Sequence, residues 1–243
     1  MSSAYAAACV RIVSRAQWHA ARPRHVTPLD VDRLRGIAVH YSAAHADEQA
    51  DHRRCAARVR AIQAFHMSPS PADPTKPWDD IAYNHVFCKH GYVFVGRGFG
   101  VRCAANGNVT VNGEYHAVCF LGDDVRGRDD VTDPGRHALA SLLAEYVRRY
   151  PWATAVVPHS ALHATSCPGD ELRAFIHGGR WHSWADAWPV PLPRWFWVWA
   201  RWRLGRGEFA QFGPADPHHR PHVAPLPIPA WAWARLRALL GRR

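Results

Sequence analysis

Two side chains of the kind that bind metals, His159 and Cys167, lie within one short segment, residues 156–170, VVPHSALHATSCPGD. Neither a disulfide nor a zinc finger explains this pair, because the six cysteines are scattered and none forms a C-x-x-C pair. A catalytic zinc site uses three protein ligands and one open position, and histidine nitrogen and cysteine thiolate both suit it. The segment therefore requires a fold that brings a third ligand from elsewhere in the chain.

The best candidate for the third ligand is His40, which ends the buried strand predicted for GIAVHY, residues 36–41. The chain has 17 histidines, so any one of them alone is more often a surface or structural residue than a ligand. The metal hypothesis therefore depends on the joint placement of His40, His159 and Cys167.

Apolar periodicity and turn residues divide the first three quarters of the chain into short strands and helices. Strands are predicted at residues 36–41, around YNHVFCK and YVFVGR as a hairpin, at 115–122 and at 155–158. Helices are predicted at residues 48–67, 134–149 and 170–176, with loops at 68–77 and 100–114.

Composition limits the classes of partner. A hydrophobic content of 48% predicts a packed core, and a net charge of +10 favours polyanions such as nucleic acid, anionic lipid or an acidic wall polymer. We expect no nucleic-acid partner, because the basic residues are spread along the chain and no reader motif is present. No secretory leader and no apolar run of spanning length is visible, so we expect synthesis in a cytoplasm and no stable membrane insertion. In a reducing compartment most of the cysteines are expected to be buried thiols.

The composition changes near Trp181, and residues 182–243 are rich in Trp, Pro and Arg. Two related segments, 191–207 and 227–243, read as short helices around Pro-rich turns. Aromatic rings stack on sugars and arginine pairs with phosphate or carboxylate, so cell-wall binding is the first interpretation. Packing on the rest of the protein and contact with a membrane interface are the alternatives.

The order of motifs resembles that of the zinc-dependent N-acetylmuramoyl-L-alanine amidases of type 2, which share their fold with the peptidoglycan recognition proteins. The resemblance covers about residues 12–176 and is carried by SRAQW, IAVHYSA, IQAFHM, WDDIAYNHVF, VFVGRGFG, YHAVCFLG and the final histidine followed by Cys-Pro-Gly. It implies an α/β fold with a central mixed β-sheet flanked by helices. The catalytic domain would span residues 10–181, and residues 182–243 would form a helical C-terminal extension.

The resemblance also implies roles for five residues. His40, His159 and Cys167 match the three zinc ligands, and Tyr83 matches the tyrosine beside the metal. Thr165 stands where some members have lysine and others threonine, and it would donate a hydroxyl hydrogen bond to the developing oxyanion. One branch of the family carries a catalytic glutamate in its central strand, and Cys119 stands at that position here.

The implied activity is hydrolysis, by zinc-activated water, of the amide between N-acetylmuramic acid and the L-alanine of the stem peptide. We expect a monomeric phage endolysin with Zn²⁺ as its cofactor, made in the host cytoplasm and acting on the bacterial wall after release. The alternative is a non-catalytic peptidoglycan-binding recognition protein. Such proteins lack the cysteine ligand, so Cys167 and Tyr83 favour the enzyme.

Overall fold

The computed structural model describes residues 10–43, 52–73, 75–123, 131–177, 179 and 181. The strands are β1 Arg11–Val13, β2 Gly36–Tyr41, β3 His85–Phe87, β4 Tyr92–Val95, β5 Tyr115–Phe120 and β6 Ala155–Pro158. The helices are α1 His52–Met67, α2 Val109–Glu114, α3 Asp133–Arg149 and α4 Asp170–His177, with short 3₁₀ helices at Val31–Arg33 and His159–Ala161.

The six strands form one mixed sheet in the order β1-β4-β3-β5-β2-β6. The hairpin β3–β4 is antiparallel, whereas β5 lies parallel to both β2 and β3. The outer pairs β1–β4 and β2–β6 are also parallel. The central mixed sheet flanked by helices, which the sequence predicts, is therefore confirmed.

Helices cover both faces of the sheet. Alternate residues of β5 point to opposite sides, as the strand period requires, so Val118 packs in one apolar cluster and Cys119 in the other. The larger cluster contains most of the buried face of α3 and of α4, including Leu139 and Leu172. The smaller one contains Trp18 and the inner face of α1. The central strands are thus buried on both faces, which explains their continuous apolar sequences.

One sequence-based prediction of local structure is wrong, and one strand was not predicted. Residues 100–114 were expected to form only a loop, but they contain α2, whose first turn is capped because Asn108 accepts a hydrogen bond from the backbone of Val111. α2 has one glycine and two valines in six residues, so helix propensity and periodicity do not reveal it. β1 was also not predicted, because three residues are too short for a visible alternation.

Part of the prediction falls outside the described residues. Residues 48–51, predicted as the start of the first helix, lie outside them, and α1 is described from His52. The Trp-rich region 182–243 and its two related segments also lie outside, so its boundary and its role stay predictions. Among the described helices, none has the length and apolar character needed to cross a bilayer.

Gly36 permits the close approach of β2 and β6. A Cβ at this position would lie 1.9 Å from the backbone oxygen of Ala155, a contact that forces the two strands apart. We expect Gly36→Ala to lower the free energy of unfolding by at least the roughly 1–3 kcal/mol typical of overpacking. Urea denaturation followed by circular dichroism measures this change.

Gly113→Ala is the matched control, because nothing lies within 4 Å of a Cβ added at Gly113. Gly113 is in α2, where alanine is favoured over glycine by about 0.5–1 kcal/mol. Equal destabilisation by the two substitutions would contradict a steric role for Gly36.

Candidate metal centre

Two of the predicted ligands meet because β2 and β6 are parallel neighbours. Their register pairs Val39 with Pro158, and the next residue along each strand is a histidine. The ring centroids of His40 and His159 are therefore only 4.2 Å apart, at the carboxyl edge of the sheet. His40 is buried and His159 half-buried.

The segment that follows β6 folds back and brings Cys167 to the same edge. The backbone N–H of Ser160 donates to the carbonyl of Cys167 at 2.9 Å, which closes the loop. The Cys167 sulfur accepts a hydrogen bond from the Tyr41 backbone N–H at 3.3 Å and lies 3.9 Å from His40 Nδ1. One ligand atom from each of His40, His159 and Cys167 lies within 4.8 Å of the other two.

Asn106 sets the orientation of the His40 ring. The Asn106 side-chain oxygen lies 2.9 Å from His40 Nε2, so Nε2 carries the proton and Nδ1 presents its lone pair toward Cys167. The Asn106 amide nitrogen donates to the Tyr115 carbonyl at 2.9 Å, and Asn106 is completely buried. Sequence reasoning missed Asn106, because nothing distinguishes it from the other asparagines of the Gly/Asn-rich residues 100–114.

The donor set fits a zinc ion. His159 Nε2 is buried and has no hydrogen-bond partner among the described residues. A buried nitrogen of this kind costs about 1–3 kcal/mol when nothing binds it, and the His159 ring lies in the cluster with His40 and Cys167, where an ion could bind it. Two imidazole nitrogens and one thiolate are a donor combination found in catalytic zinc sites.

Burial also gives the histidines the protonation state that a ligand needs. It lowers the pKa of His40 to about 3, with His159 adding a smaller effect, and it lowers the pKa of His159 to about 4. Both rings are therefore neutral near pH 7. Burial raises the pKa of the Cys167 thiol to about 12, so the thiolate forms only when a cation offsets its charge.

Tyr83 lies beside the cluster. Its ring centroid is 5.6 Å from that of His40 and 5.7 Å from that of His66, which packs edge-on against it. Burial raises the pKa of Tyr83 well above its usual range, and the neighbouring Cys119 adds to this effect. The hydroxyl thus stays protonated, and its hydrogen bond with the Cys119 side chain contributes to the raised pKa.

Thr165 contacts the cluster through a hydrogen bond with the backbone of Cys167. Its hydroxyl oxygen accepts a hydrogen bond from the Cys167 backbone N–H at 3.2 Å, so Thr165 shapes the turn that presents the thiol. Its expected bond to an oxyanion stays a prediction.

Cys119 lies directly opposite His40 in the β2–β5 pairing. Burial and the nearby Cys167 raise the pKa of Cys119 well above its usual range, so its thiol is neutral. The central strand therefore contributes no carboxylate at this position.

The fold and the cluster together define a class: an α/β domain with a candidate three-ligand metal centre at the edge of its sheet. The family model described as Amidase_2, N-acetylmuramoyl-L-alanine amidase, matches residues 30–170, and the chain belongs to this family. All five predicted site residues, and Asn106, lie within the matched range.

Two mammalian relatives carry the name N-acetylmuramoyl-L-alanine amidase. The human protein is 31% identical over 172 residues, which cover 68% of this chain and 27% of that protein. The pig protein is 31% identical over 174 residues, covering 68% and 26%. The chain thus spans about a quarter of the length of the curated relatives it matches.

Solved structures of peptidoglycan recognition proteins have the same fold. The ectodomain complex of PGRP-LCa and PGRP-LCx bound to tracheal cytotoxin matches with a TM-score of 0.58 and 26% identity, covering 68% of this chain and 94% of that one. Drosophila PGRP-SD matches with a TM-score of 0.59 and 25% identity, covering 74% and 99%.

We expect loss of the Asn106 acceptor to weaken zinc binding, because the His40 ring is then no longer held in its ligand orientation. Such partners of a ligating histidine typically contribute about 10–100-fold in metal affinity. Titration of Asn106→Leu against a competing chelator measures the change. Asn106→Asp keeps an acceptor oxygen for His40 but loses the N–H that donates to the Tyr115 carbonyl, so its affinity should fall between those of Asn106→Leu and wild type. Equal affinities for Asn106→Leu and wild type would contradict the role.

Proposed function

We propose that the chain is a zinc-dependent N-acetylmuramoyl-L-alanine amidase that hydrolyses the amide between N-acetylmuramic acid and the L-alanine of the peptidoglycan stem peptide. The observation that carries this proposal is the convergence of His40, His159 and Cys167, with a buried and unbonded imidazole nitrogen, beside Tyr83. Membership of the amidase family supports the same conclusion.

His40, His159 and Cys167 would hold the ion. When bound, zinc supplies a Lewis acid that polarises the scissile carbonyl and lowers the pKa of water. One thiolate and two neutral imidazoles leave the centre with a net positive charge, so it keeps this acidity. The two histidine rings remain neutral because burial lowers their pKa values to about 3 and about 4.

Tyr83 would stabilise the tetrahedral oxyanion by donating its hydroxyl hydrogen. Its raised pKa keeps the proton on the oxygen, and its packing against His40 and His66 holds the ring before substrate arrives. A preorganised donor to a developing oxyanion is typically worth about 10²–10³ in rate. Thr165, whose hydroxyl accepts a hydrogen bond from the Cys167 backbone N–H, would donate a second hydroxyl hydrogen bond to the oxyanion.

The second candidate function is recognition of peptidoglycan without cleavage. It is favoured by the likeness to the PGRP-LCa and PGRP-LCx ectodomains, which were solved with tracheal cytotoxin bound. The three convergent ligands argue for the enzyme, because binding of peptidoglycan alone does not require two histidines and a cysteine to meet in the arrangement that holds a metal ion.

Residues 182–243 would bind cell-wall polymers, and the chain would act as a phage endolysin released to the wall from the host cytoplasm. The tryptophans and arginines of this region suit sugar rings and acidic groups, and the net charge of +10 attracts anionic wall polymers.

Co-sedimentation with purified walls tests whether residues 182–243 bind the cell wall. A full-length variant with Trp195, Trp199 and Trp202 changed to alanine should remain in the supernatant. Unchanged sedimentation would contradict wall binding by this region.

Mass spectrometry of digested peptidoglycan tests the reaction itself. We expect free stem peptides that begin at L-alanine, together with glycan chains whose muramic acid carries a free lactyl carboxylate. A chelator should abolish both products and added zinc should restore them. Intact glycopeptides together with tight wall binding would establish the recognition function instead.

Substitution of Cys167 and of Tyr83 should separate metal binding from catalysis. Cys167→Ser should lower the zinc content by one ion per chain and abolish hydrolysis, because serine is a poor ligand for zinc. Tyr83→Phe should keep the zinc and lower kcat by about 10²–10³, because only the donor hydroxyl is lost. Elemental analysis and the rate of peptide release measure the two effects.

Tyr92→Phe is the control for Tyr83→Phe. It removes the same hydroxyl group, but from a tyrosine whose hydroxyl accepts a hydrogen bond from Arg11 on neighbouring β1. It should retain full activity. Full activity in Tyr83→Phe would remove Tyr83 from the mechanism.

A further inference from the structure

A second group of ligand side chains lies where α1 packs against the hairpin β3–β4. Cys55 belongs to the first turns of α1, Cys88 directly follows β3, and His90 is in the turn of the hairpin. One ligand atom from each lies within 4.8 Å of the other two. In the sequence, Cys55 and Cys88 are two of the scattered cysteines that are expected to be buried thiols. Nothing in it indicates that they lie close to each other and to His90.

The distances in this group are those of a zinc tetrahedron. His90 Nδ1 lies 3.5 Å from the Cys55 sulfur and 3.8 Å from the Cys88 sulfur. Zinc bonds of about 2.3 Å to sulfur and about 2.0–2.1 Å to nitrogen, at tetrahedral angles, separate such atoms by about 3.5 Å. The two nitrogen–sulfur distances are therefore those that a shared zinc ion requires, and the two sulfurs lie within 4.8 Å of each other.

The hairpin turn places Cys88 and His90 close together. The chain turns sharply after Cys88, with the Gly91 backbone N–H donating to the Cys88 carbonyl at 3.0 Å and Gly91 in the left-handed region at φ 81°. This turn brings the His90 ring nitrogen within 3.8 Å of the Cys88 sulfur, so both side chains can reach one ion.

We propose that Cys55, Cys88 and His90 form a second zinc site that fixes α1 to the β3–β4 hairpin. Two sulfurs and one imidazole are a donor set that selects zinc over magnesium or calcium, with water as the fourth ligand. Both sulfurs are buried and only His90 is partly exposed, so the two thiols are shielded from solvent. The site shares no ligand with the first centre and does not depend on the proposed activity.

An ion at this site would also affect the other end of α1. Its last turn carries His66, whose Nδ1 accepts a hydrogen bond from the Ala82 backbone N–H at 3.1 Å and whose ring packs against Tyr83. An ion at the first turns of α1 would therefore restrain the helix that supports Tyr83. Because metal binding to the folded state adds to folding stability, its loss should lower the unfolding temperature.

The zinc content of full-length variants, purified with zinc and reductant and then freed of loose metal, tests the proposal. We expect two ions per chain in the wild type, one in His90→Ala, one in Cys167→Ser and none in the double variant. His177→Ala, which changes an exposed histidine at the end of α4, is the control and should keep two. A wild type with a single ion that Cys167→Ser removes would overturn the second site while leaving the first.

Cobalt substitution gives a readout that does not require His90→Ala to fold normally. In the Cys167→Ser variant, Co²⁺ should produce near-ultraviolet thiolate-to-cobalt absorption, because the two remaining ligand thiolates belong to the second site. Adding Cys88→Ser should remove most of this absorption. Absence of the band in folded Cys167→Ser would overturn the proposal, as would a peptide linked through Cys55 and Cys88 in protein kept in reductant.

Discussion

The parallel pairing of β2 with β6 is the interaction on which the candidate centre depends. The pairing starts at Gly36 and Ala155 and ends at Val39 and Pro158, so that the next residues of the two segments, His40 and His159, lie side by side. Only a residue without a Cβ allows the two backbones to approach at Gly36. The ligand geometry is thus set by backbone hydrogen bonds and strand register, which are far stiffer than side-chain torsions.

The environment of the centre then determines the chemistry of its ligands. Burial keeps His40 and His159 neutral and makes the Cys167 thiolate dependent on a nearby cation. Asn106 selects the tautomer of His40 from a loop that is itself hydrogen-bonded to the start of β5. Tyr83 is placed by packing between His40 and the end of α1. These residues come from different parts of the chain, so the site forms only when those parts are folded together.

The sequence alone identifies the site residues that lie in recognisable local patterns. Apolar strands stand out in the sequence, and His40 and His159 are recognisable because each directly follows or ends one. Asn106, α2 and the group of Cys55, Cys88 and His90 could not be predicted in this way. Asn106 acts through one tertiary hydrogen bond, α2 depends on the Asn108 cap, and the second group forms only when α1 packs on the hairpin.

The hydrogen bond between Ser160 and Cys167 has a further consequence. It closes the loop between two ligands of the first centre within the protein itself. Ordering a segment of this length would otherwise cost about 1–2 kcal/mol per residue in backbone entropy at the moment the ion binds. Here that cost falls on folding, so the proposed centre would be a preorganised chelate. An arriving ion would meet its candidate ligands already in place and would leave their backbone almost unchanged.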